Sequence, residues 1–276
     1  MKVACFTLIE PLRSFEYQLI KIKELGFDCC DIAATHDGAS LLTAYGFSPS
    51  VSLDSNPFEV KRLAEKHGLE IISLCAHANL LNPPAIYRYG AAQIVKAIKF
   101  AHALGIPHVV TSEGESEEAL KLSEKEMLSM IKFNLSEPLK VAEDFGVEIL
   151  IEPHGPLSAS AEGLQKILDV CDSENLAINF DTGNVFVAGN DPVETLKAVV
   201  DKVKHIHLKD LPPDIERGHA YGVGMGTIPL GSGAVGIGEI IRILMDNGYE
   251  GNATLEVIGE DALVASREYL ASLGVL

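Results

Sequence analysis

Short apolar runs alternate with longer amphipathic segments along the whole chain, and this alternation restricts the possible folds more than any other feature. Eight of the runs have the length and the content of Val, Ile and Leu that buried strands have. They span residues 3–9, 27–33, 69–76, 108–112, 147–153, 176–181, 203–209 and 253–257. Repeated strand and helix units of this kind are typical of a parallel sheet that is covered by helices.

The segments between the predicted strands differ in length on the two sides of each strand. Helical patterns, including residues 57–68, 91–105 and 123–146, precede the strands and end at a glycine. Glycine commonly occupies the left-handed position that ends a helix. The closing glycines are Gly26, Gly68, Gly105, Gly146 and Gly248. The segments that follow the strands are longer and more varied, and we therefore expect functional residues on that face.

The length of the chain agrees with this pattern. It has 276 residues, 47% of them apolar, and an eight-fold β/α barrel needs about 250 residues. No polar linker or change in composition divides the chain, so we predict a single (β/α)8 TIM barrel and one domain over residues 1–276. An open, doubly wound sheet is the structural alternative, because the same alternation would serve it.

The charge of the chain restricts the partners that it can bind. A formal net charge of -17 disfavours nucleic acids, because affinity for them comes largely from Lys and Arg side chains that neutralise phosphates.

Residues 1–10 lack a signal-peptide pattern, and no window is long and apolar enough to span a bilayer. We expect a cytoplasmic protein with no membrane partner. The five cysteines lack the spacing of a zinc or thioredoxin-type motif and are predicted to be buried thiols.

Four consecutive late strands end in residues that can bind a metal, namely Glu152, Asp181, His207 and Glu256. Taken singly, a carboxylate here can cap the following helix and a histidine can be a hydrogen-bonded core residue. In a barrel, however, the carboxyl ends of all strands converge. Several charges in one small volume are costly without a cation. This oxygen-rich set predicts one divalent metal ion, which could be Mn2+, Mg2+, Co2+ or Zn2+.

The sequence around these residues resembles the xylose isomerase-like barrels, which include sugar isomerases, ketose 3-epimerases, inosose-processing enzymes and endonuclease IV. The motifs are IEPHG around Glu152, DTGN from Asp181, HIHLKD around His207, IPLGSGAVG, and TLEV around Glu256. The resemblance covers nearly the whole chain and implies that these four residues ligate one metal ion. Their successive spacings of 29, 26 and 49 residues look typical of the family. His205 is expected deeper in the barrel, on the same side of its strand as His207.

The resemblance also implies a sugar isomerase or epimerase that removes a proton next to a carbonyl group. One of Glu152 and Glu256 would remove the proton to give an enediolate, and the other would return a proton, while the metal holds the negative charge. The substrate would be a small sugar or sugar derivative, and the family often forms dimers or tetramers. A dehydratase of keto-inositols or keto-sugars is the close alternative, because loss of hydroxide can follow removal of the same proton.

Six further residues are candidates for substrate binding, namely His77, His154, Asn184, Lys209, Arg217 and His219. Asn184 is a departure from the resemblance, because ketose 3-epimerases commonly carry a histidine at that position. Lys209 and Arg217 supply positive charge, and the glycines of segment 231–236 precede a helix, so a phosphorylated substrate stays possible. We favour an unphosphorylated sugar or sugar acid. Glu113 is interpreted as part of a solvated acidic loop, because three glutamates follow it closely.

Two more distant functions are weighed against these. Endonuclease IV binds three zinc ions through additional histidines and an Asp-x-His sequence, but the matching residues here are Arg217, Gly218 and His219, so the acidic ligand is missing. A barrel that binds a sugar without catalysis is also conceivable, and the complete set of predicted ligands argues against it.

Overall fold

Parallel strands form the centre of the molecule. The structure is a computed structural model that describes residues 1–35, 51–81, 89–114, 119–222 and 226–276. The strands are β1 (Lys2–Phe6), β2 (Cys29–Thr35), β3 (Val51–Ser52), β4 (Glu70–Cys75), β5 (His108–Ser112), β6 (Glu148–Glu152), β7 (Leu176–Asp181), β8 (Val203–Leu208) and β9 (Asn252–Leu255). β3 is a two-residue strand that pairs with the end of β2, and the other eight correspond to the eight predicted strands.

These eight strands close on themselves. Their order is β1, β9, β8, β7, β6, β5, β4 and β2, and β1 pairs in parallel with both β9 and β2. An open sheet would leave two strands with one unpaired edge each, whereas here the ring of pairings is complete. The predicted (β/α)8 barrel is therefore confirmed, and the alternative of an open, doubly wound sheet is wrong.

Helices surround the barrel in the described part of the chain. They are α1 (Phe15–Glu24), α2 (Pro57–Lys66), α3 (Tyr89–Leu104), α4 (Glu124–Phe145), α5 (Ala161–Cys171), α6 (Thr182–Val187), α7 (Pro192–Val199), α8 (Ile237–Asp246) and α9 (Glu260–Ser272). Side-chain caps explain several of the helix starts, as at α4, where Ser123 and Glu126 form a capping box. The five predicted closing glycines all have positive φ, between 64° and 85°, as the left-handed helix ends require.

Alternation along the strands decides which side chains face the barrel axis. On β7, Ile178 and Phe180 belong to the main core cluster together with the helix residues Leu164 and Ile167. Because successive strand residues point to opposite faces, Asn179 and the neighbours two residues away point inward. The strand ends differ from prediction by a few residues: β1 stops at Phe6 rather than at residue 9, and β9 stops one residue before Glu256.

Two further predictions concern the chemistry of the chain as a whole. All five cysteines are free, four of them are buried, and Cys171 is partly buried, which confirms the expectation of core thiols. Among the helices that the structure describes, none combines the length and the apolar character that crossing a membrane would need.

Candidate metal and acid-base site

The four predicted metal ligands lie together at the carboxyl ends of β6, β7, β8 and β9. We call Glu152, Asp181, His207 and Glu256 the four-residue cluster. The Nδ1 atom of His207 lies 3.2 Å from an Oε of Glu152, 3.0 Å from an Oε of Glu256 and 3.8 Å from an Oδ of Asp181. Three of the side chains are almost completely buried, whereas Glu256 keeps 12% of its side-chain surface exposed. The cluster can therefore be reached from the open end of the barrel.

A buried aspartate on β2 orients His207. The Nε2 atom of His207 lies 2.9 Å from Oδ2 of Asp31, which is fully buried. Because a carboxylate accepts hydrogen bonds, we place the proton of a neutral His207 on Nε2, and Nδ1 then presents a lone pair to the cluster. Nδ1 is buried and makes no hydrogen bond with any residue that the structure describes. A lone pair that faces two carboxylates is unfavourable unless a cation lies between them, so this donor set fits a divalent metal ion.

The charge balance of the cluster leads to the same conclusion. Burial alone would lower the pKa of His207, but the charge of Glu152 and the hydrogen bond that the ring donates to Asp31 raise that pKa well above its ordinary value. Burial raises the pKa of Asp181 to about 7, although Lys209 opposes the change. Both groups thus tend to hold a proton in place of a missing positive charge. A bound cation would supply that charge and release the protons.

Lys209 lies inside the site rather than at its entrance. Its buried ammonium group is 2.8 Å from Oδ2 of Asp181 and 2.9 Å from Oε1 of Glu256. Burial alone would lower the pKa of Lys209, but the carboxylates around it raise that pKa above its ordinary value. One ammonium group faces the three carboxylates of the cluster, so negative charge is still in excess. The charge of Lys209 is therefore largely neutralised by carboxylates of the protein itself.

The two glutamates of the cluster have different surroundings. Both carboxylate oxygens of Glu152 accept amide hydrogen bonds, from Asn179 at 2.8 Å and from Asn184 at 3.0 Å. Burial would raise the pKa of Glu152, but the nearby rings of His77 and His207 lower it below its ordinary value. Both glutamates lie next to His207, but only Glu256 pairs with Lys209, and Glu256 is the more exposed of the two. Glu152 is thus fixed by two neutral amide donors, whereas Glu256 is held by an ammonium group.

Asn184, one of the predicted substrate-binding residues, belongs to this network. Its side chain donates to Glu152, and its backbone N–H donates to Oδ1 of Asp181 at 2.8 Å. Asp181 therefore caps α6 with one oxygen and turns the other toward Lys209. This geometry is compatible with Asp181 as the cap of α6 and also with Asp181 as a metal ligand.

Two of the histidines predicted to bind the substrate lie on the Glu152 side of the cluster. The rings of His77 and His154 have centroids 5.5 Å apart, and Nε2 of His77 is 3.9 Å from Oε1 of Glu152. His77 also contacts Oγ of Ser112 at 2.9 Å and Sγ of Cys75 at 3.1 Å. Burial lowers the pKa of His77 to about 4, so its ring is neutral near pH 7.

The loop after β8 closes over His154. A Cβ atom built at Gly222 would lie only 2.1 Å from Nε2 of His154, so the histidine ring packs directly against the backbone at that glycine. His154 itself is partly buried. The ring thus lies between the cluster and the loop, where it can reach a bound substrate.

The other two predicted substrate-binding residues lie away from the cluster. Arg217 donates hydrogen bonds to the backbone carbonyls of Phe186 and Asn190 at 2.8 and 2.7 Å, and its guanidinium group lies 4.0 Å from the centre of the Phe186 ring. His219 is exposed and pairs with Glu216. Arg217 therefore fastens the β8 loop to α6, and a contact of either residue with the substrate stays a prediction.

The glycine-rich segment before α8 is organised by Asp210. The carboxylate of Asp210 accepts backbone hydrogen bonds from Gly231 and Gly233, both at 2.9 Å, and from Val235 at 3.2 Å. A phosphate group at this segment would need the same N–H donors. Because Asp210 already occupies them, the structure does not support the phosphate site that the glycines suggested.

Three residues that support the site were not identified from the sequence. Asp31 and Asn179 hold His207 and Glu152, and both are polar residues within otherwise apolar predicted strands. Asn179 precedes Asp181 by two residues, so strand alternation could have placed it on the inner face. Glu113 is buried, which makes the interpretation as a residue of a solvated loop wrong. His205 is buried below His207 as expected, with Nε2 2.8 Å from Oγ1 of Thr254.

Replacement of Asp31 with Asn is expected to weaken binding of a divalent ion by about 10- to 100-fold. The substitution removes the charge that fixes the proton of His207 on Nε2. Titration of the chelator-treated protein with Mn2+ or Zn2+, followed by calorimetry, measures the effect. Asp28→Asn, which alters an exposed residue just before β2, serves as the matched control. Equal affinities of the two variants would contradict the role of Asp31.

Comparison with known proteins agrees with this architecture. The model of the xylose isomerase-like TIM barrel family matches residues 19–273. This match covers most of the chain, and the chain belongs to that family.

Among the similar proteins is the inosose dehydratase of Clostridium botulinum (strain Alaska E43 / Type E3), which is 29% identical over 231 residues, with 76% of each chain covered. The inosose dehydratase of Bacillus thuringiensis (strain Al Hakam) is 27% identical over 234 residues, with 78% of each chain covered.

Solved structures of the same fold cover nearly the whole chain. A D-tagatose 3-epimerase-like protein has a TM-score of 0.76 at 24% identity, with 99% of this chain and 97% of that chain covered. The probable 3-DHS dehydratase AsbF from Bacillus anthracis has a TM-score of 0.74 at 21% identity, with coverages of 98% and 99%. The IOLI protein with a bound zinc atom has a TM-score of 0.74 at 17% identity, with coverages of 99% and 98%. At these identities the likeness concerns the fold.

Proposed function

We propose that this chain is a metal-dependent sugar-modifying enzyme that removes water from a keto-inositol or a related keto-sugar. The main observation is the pairing of two differently held glutamates, Glu152 and Glu256, with the two imidazoles of His77 and His154 on one side of the cluster. The similarity to inosose dehydratases favours this reaction over epimerisation. A dehydratase is a lyase, so the isomerase class that the motifs suggested becomes the second candidate.

The reaction needs one base and one acid. In a keto-polyol, the carbon next to the carbonyl carries a hydrogen and a hydroxyl group, and its proton is acidified by the carbonyl. Removal of that proton gives an enediolate. Expulsion of the hydroxyl group from the following carbon, with transfer of a proton to the departing oxygen, releases water and leaves the enol of a 1,2-diketone. No oxidant or reductant is required.

We assign removal of the proton to Glu256. Its carboxylate is the more exposed of the two, and Lys209 lies 2.9 Å from one of its oxygens, so the ammonium group holds that carboxylate in a fixed orientation. Glu152 has both oxygens engaged by Asn179 and Asn184, which leaves it less free to accept a proton. Glu152 would act as an acid-base partner in the alternative epimerisation, where a proton is returned on the opposite side of the substrate.

We assign protonation of the departing hydroxyl group to His154. This ring is partly buried and lies 5.5 Å from the ring of His77. His77 is a weaker candidate for the acid, because burial lowers its pKa to about 4 and its ring is neutral near pH 7. His77 can instead contact a substrate hydroxyl group and support the ring of His154.

Glu152, Asp181, Glu256 and the Nδ1 atom of His207 are the residues that would hold the metal ion. A bound divalent ion supplies Lewis acidity, which polarises a substrate carbonyl and stabilises the charge that develops on it. The buried, unpartnered Nδ1 of His207 and the excess of carboxylates support this assignment. Mn2+, Mg2+, Co2+ and Zn2+ all suit these ligands, and the zinc atom of the IOLI structure is a precedent within the same fold.

The surroundings of the cluster favour an unphosphorylated substrate. Lys209 forms ion pairs with Asp181 and Glu256. Arg217 donates hydrogen bonds to the backbone carbonyls of Phe186 and Asn190. Both cations are therefore already paired within the protein. A neutral polyhydroxy ketone requires no further cation. Assembly into a dimer or tetramer, and the lack of nucleic-acid and membrane partners, stay predictions.

The purified protein, supplied with Mn2+, is expected to convert a keto-inositol into a product that is lighter by one water molecule. The conjugated enol of the product absorbs in the ultraviolet, so absorbance and mass spectrometry both follow the reaction. Ketoses and keto-acids form the comparison panel. An epimer that accumulates without loss of water would identify an epimerase instead. A protein that binds these ketones without turnover or solvent exchange would be a non-catalytic sugar-binding barrel.

A further inference from the structure

A buried carboxylate outside the four-residue cluster ties the loop of His154 to the barrel. Glu113 directly follows β5 and has no exposed surface. Its Oε1 atom accepts three hydrogen bonds, from the backbone N–H of Leu157 at 2.6 Å, from the backbone N–H of Ser158 at 2.8 Å and from the hydroxyl group of Ser158 at 3.1 Å. All three donors belong to the loop between β6 and α5.

Ser158 also links Glu113 to the backbone of His154. Oγ of Ser158 accepts a hydrogen bond from the backbone N–H of His154 at 3.1 Å, while its hydroxyl hydrogen points to Glu113. The carboxylate therefore fixes the serine, and the serine fixes the backbone from which the His154 ring extends. Since His154 follows Glu152 by two residues, this connection sets the position of the ring relative to the cluster.

The packing around Glu113 leaves little room for its side chain to move. A Cβ atom built at Gly155 would lie 2.2 Å from Cγ of Glu113, so the loop can cover the glutamate side chain only because residue 155 is a glycine. The other oxygen, Oε2, is buried and makes no hydrogen bond within the described part of the chain. Burial raises the pKa of Glu113 to about 7, although the hydrogen bonds from Ser158 and Leu157 oppose the rise. Burial of this group is therefore costly for folding.

The end of β5 also holds the second histidine of the pair. Oγ of Ser112 lies 2.9 Å from Nδ1 of His77, and the backbone carbonyl of Glu113 accepts a hydrogen bond from the N–H of Leu80 at 3.0 Å. Two adjacent residues thus fix both segments that carry His77 and His154. The 5.5 Å separation of the two rings depends on this strand end.

We propose that Glu113 is a positioning residue that holds the ring of His154 in place for protonation of the departing hydroxyl group. This role rests on the proposed dehydration and requires no contact between Glu113 and the substrate. The glutamate acts through one of its oxygens as a hydrogen-bond acceptor, because no described residue bonds to the other oxygen. The carbonyl oxygen of a glutamine can make the same three bonds.

The test compares Glu113→Ala with Glu113→Gln in the metal-loaded protein. Glu113→Ala is expected to lower kcat by about 10- to 100-fold, as for a small misplacement of a reacting group, with little change in KM. Glu113→Gln is expected to keep kcat within about threefold of the wild type, because the acceptor is retained. Glu174→Ala, at an exposed glutamate, is the control. Equal kcat values for Glu113→Ala and the wild type would overturn the proposal.

A double-mutant cycle separates positioning from general damage. If Glu113 acts through His154, Glu113→Ala lowers kcat no further when His154 is already replaced by Gln, because the two residues form one unit. If the two losses in kcat multiply instead, Glu113 acts in another way and the proposal is wrong.

Hydrogen exchange provides a readout that is independent of turnover. Backbone amides of residues 153–160 are expected to exchange faster in Glu113→Ala and at the wild-type rate in Glu113→Gln, as measured by mass spectrometry. Unchanged exchange in Glu113→Ala would overturn the proposal even if the enzyme is a dehydratase. A wild-type protein that converts none of the ketones would refute the proposed function, while the exchange experiment still decides whether Glu113 holds the loop.

Discussion

Glu256→Gln is expected to lower kcat by about 10²- to 10⁴-fold, the range that general acid-base catalysis supplies. The amide of glutamine cannot accept the proton from the substrate carbon, whereas its carbonyl oxygen can still face Lys209. Glu152→Gln is expected to reduce kcat as well, because glutamine lacks the negative charge of a predicted metal ligand. Steady-state turnover and incorporation of solvent deuterium into recovered substrate, with Mn2+ at saturation, measure both effects.

Metal content must be matched between these proteins, because both glutamates are also predicted ligands. Metal analysis of each variant supplies that check. Glu250→Gln, at an exposed glutamate before β9, controls for the loss of one negative charge and is expected to keep full activity. Deuterium exchange that survives both Glu152→Gln and Glu256→Gln at full metal content would refute the two-glutamate mechanism.

Removal of divalent ions by a chelator is expected to abolish turnover and to lower the Tm. Without a cation, the negative charge of the four-residue cluster is balanced only by Lys209 and by the protons that His207 and Asp181 tend to hold. An ion that binds only the folded protein stabilises it by about 2.7 kcal/mol at a concentration of 100 times its Kd. Calorimetric scans with and without Mn2+ or Zn2+ measure this stabilisation.

Asp181→Asn is expected to remove most of that metal-dependent increase in Tm, because the substitution takes away a charged ligand. Asp201→Asn changes an exposed aspartate and is expected to retain the increase. If the Tm of the wild type is the same with and without every one of the four candidate ions, the predicted metal site is wrong.

The strands show which parts of the fold the sequence could predict. A barrel strand is covered by helices on one face and by other strands' side chains on the other, so it reads as a short apolar run, and all eight runs were found in this way. Their ends were less predictable. The run of residues 3–9 continues past β1 because Leu8 and Ile9 are buried in the loop after the strand, and burial alone does not distinguish a strand from its loop.

The four-residue cluster was predictable because each member lies within one residue of the carboxyl end of its strand, and the carboxyl ends of barrel strands meet at one place. Contacts between segments that are distant in the chain were not predictable. Asp31 and His207 are 176 residues apart, and only the closure of the barrel brings them together. Lys209 was expected to bind the substrate, but its ion pairs with Asp181 and Glu256 depend on side-chain positions that no spacing along the chain determines.

By itself, therefore, the sequence determined the repeated β/α architecture, which follows from local periodicity. It also pointed to the four residues at the strand ends, through the geometry of a closed parallel sheet together with the resemblance to the family. Tertiary structure alone decided how each of those residues is charged and oriented. Asp31 sets the proton of His207, Lys209 neutralises part of the cluster, and Glu113 lies buried beneath the loop of His154. These effects depend on burial and on distances of about 3 Å between segments far apart in the chain, and such distances exist only after the barrel has closed.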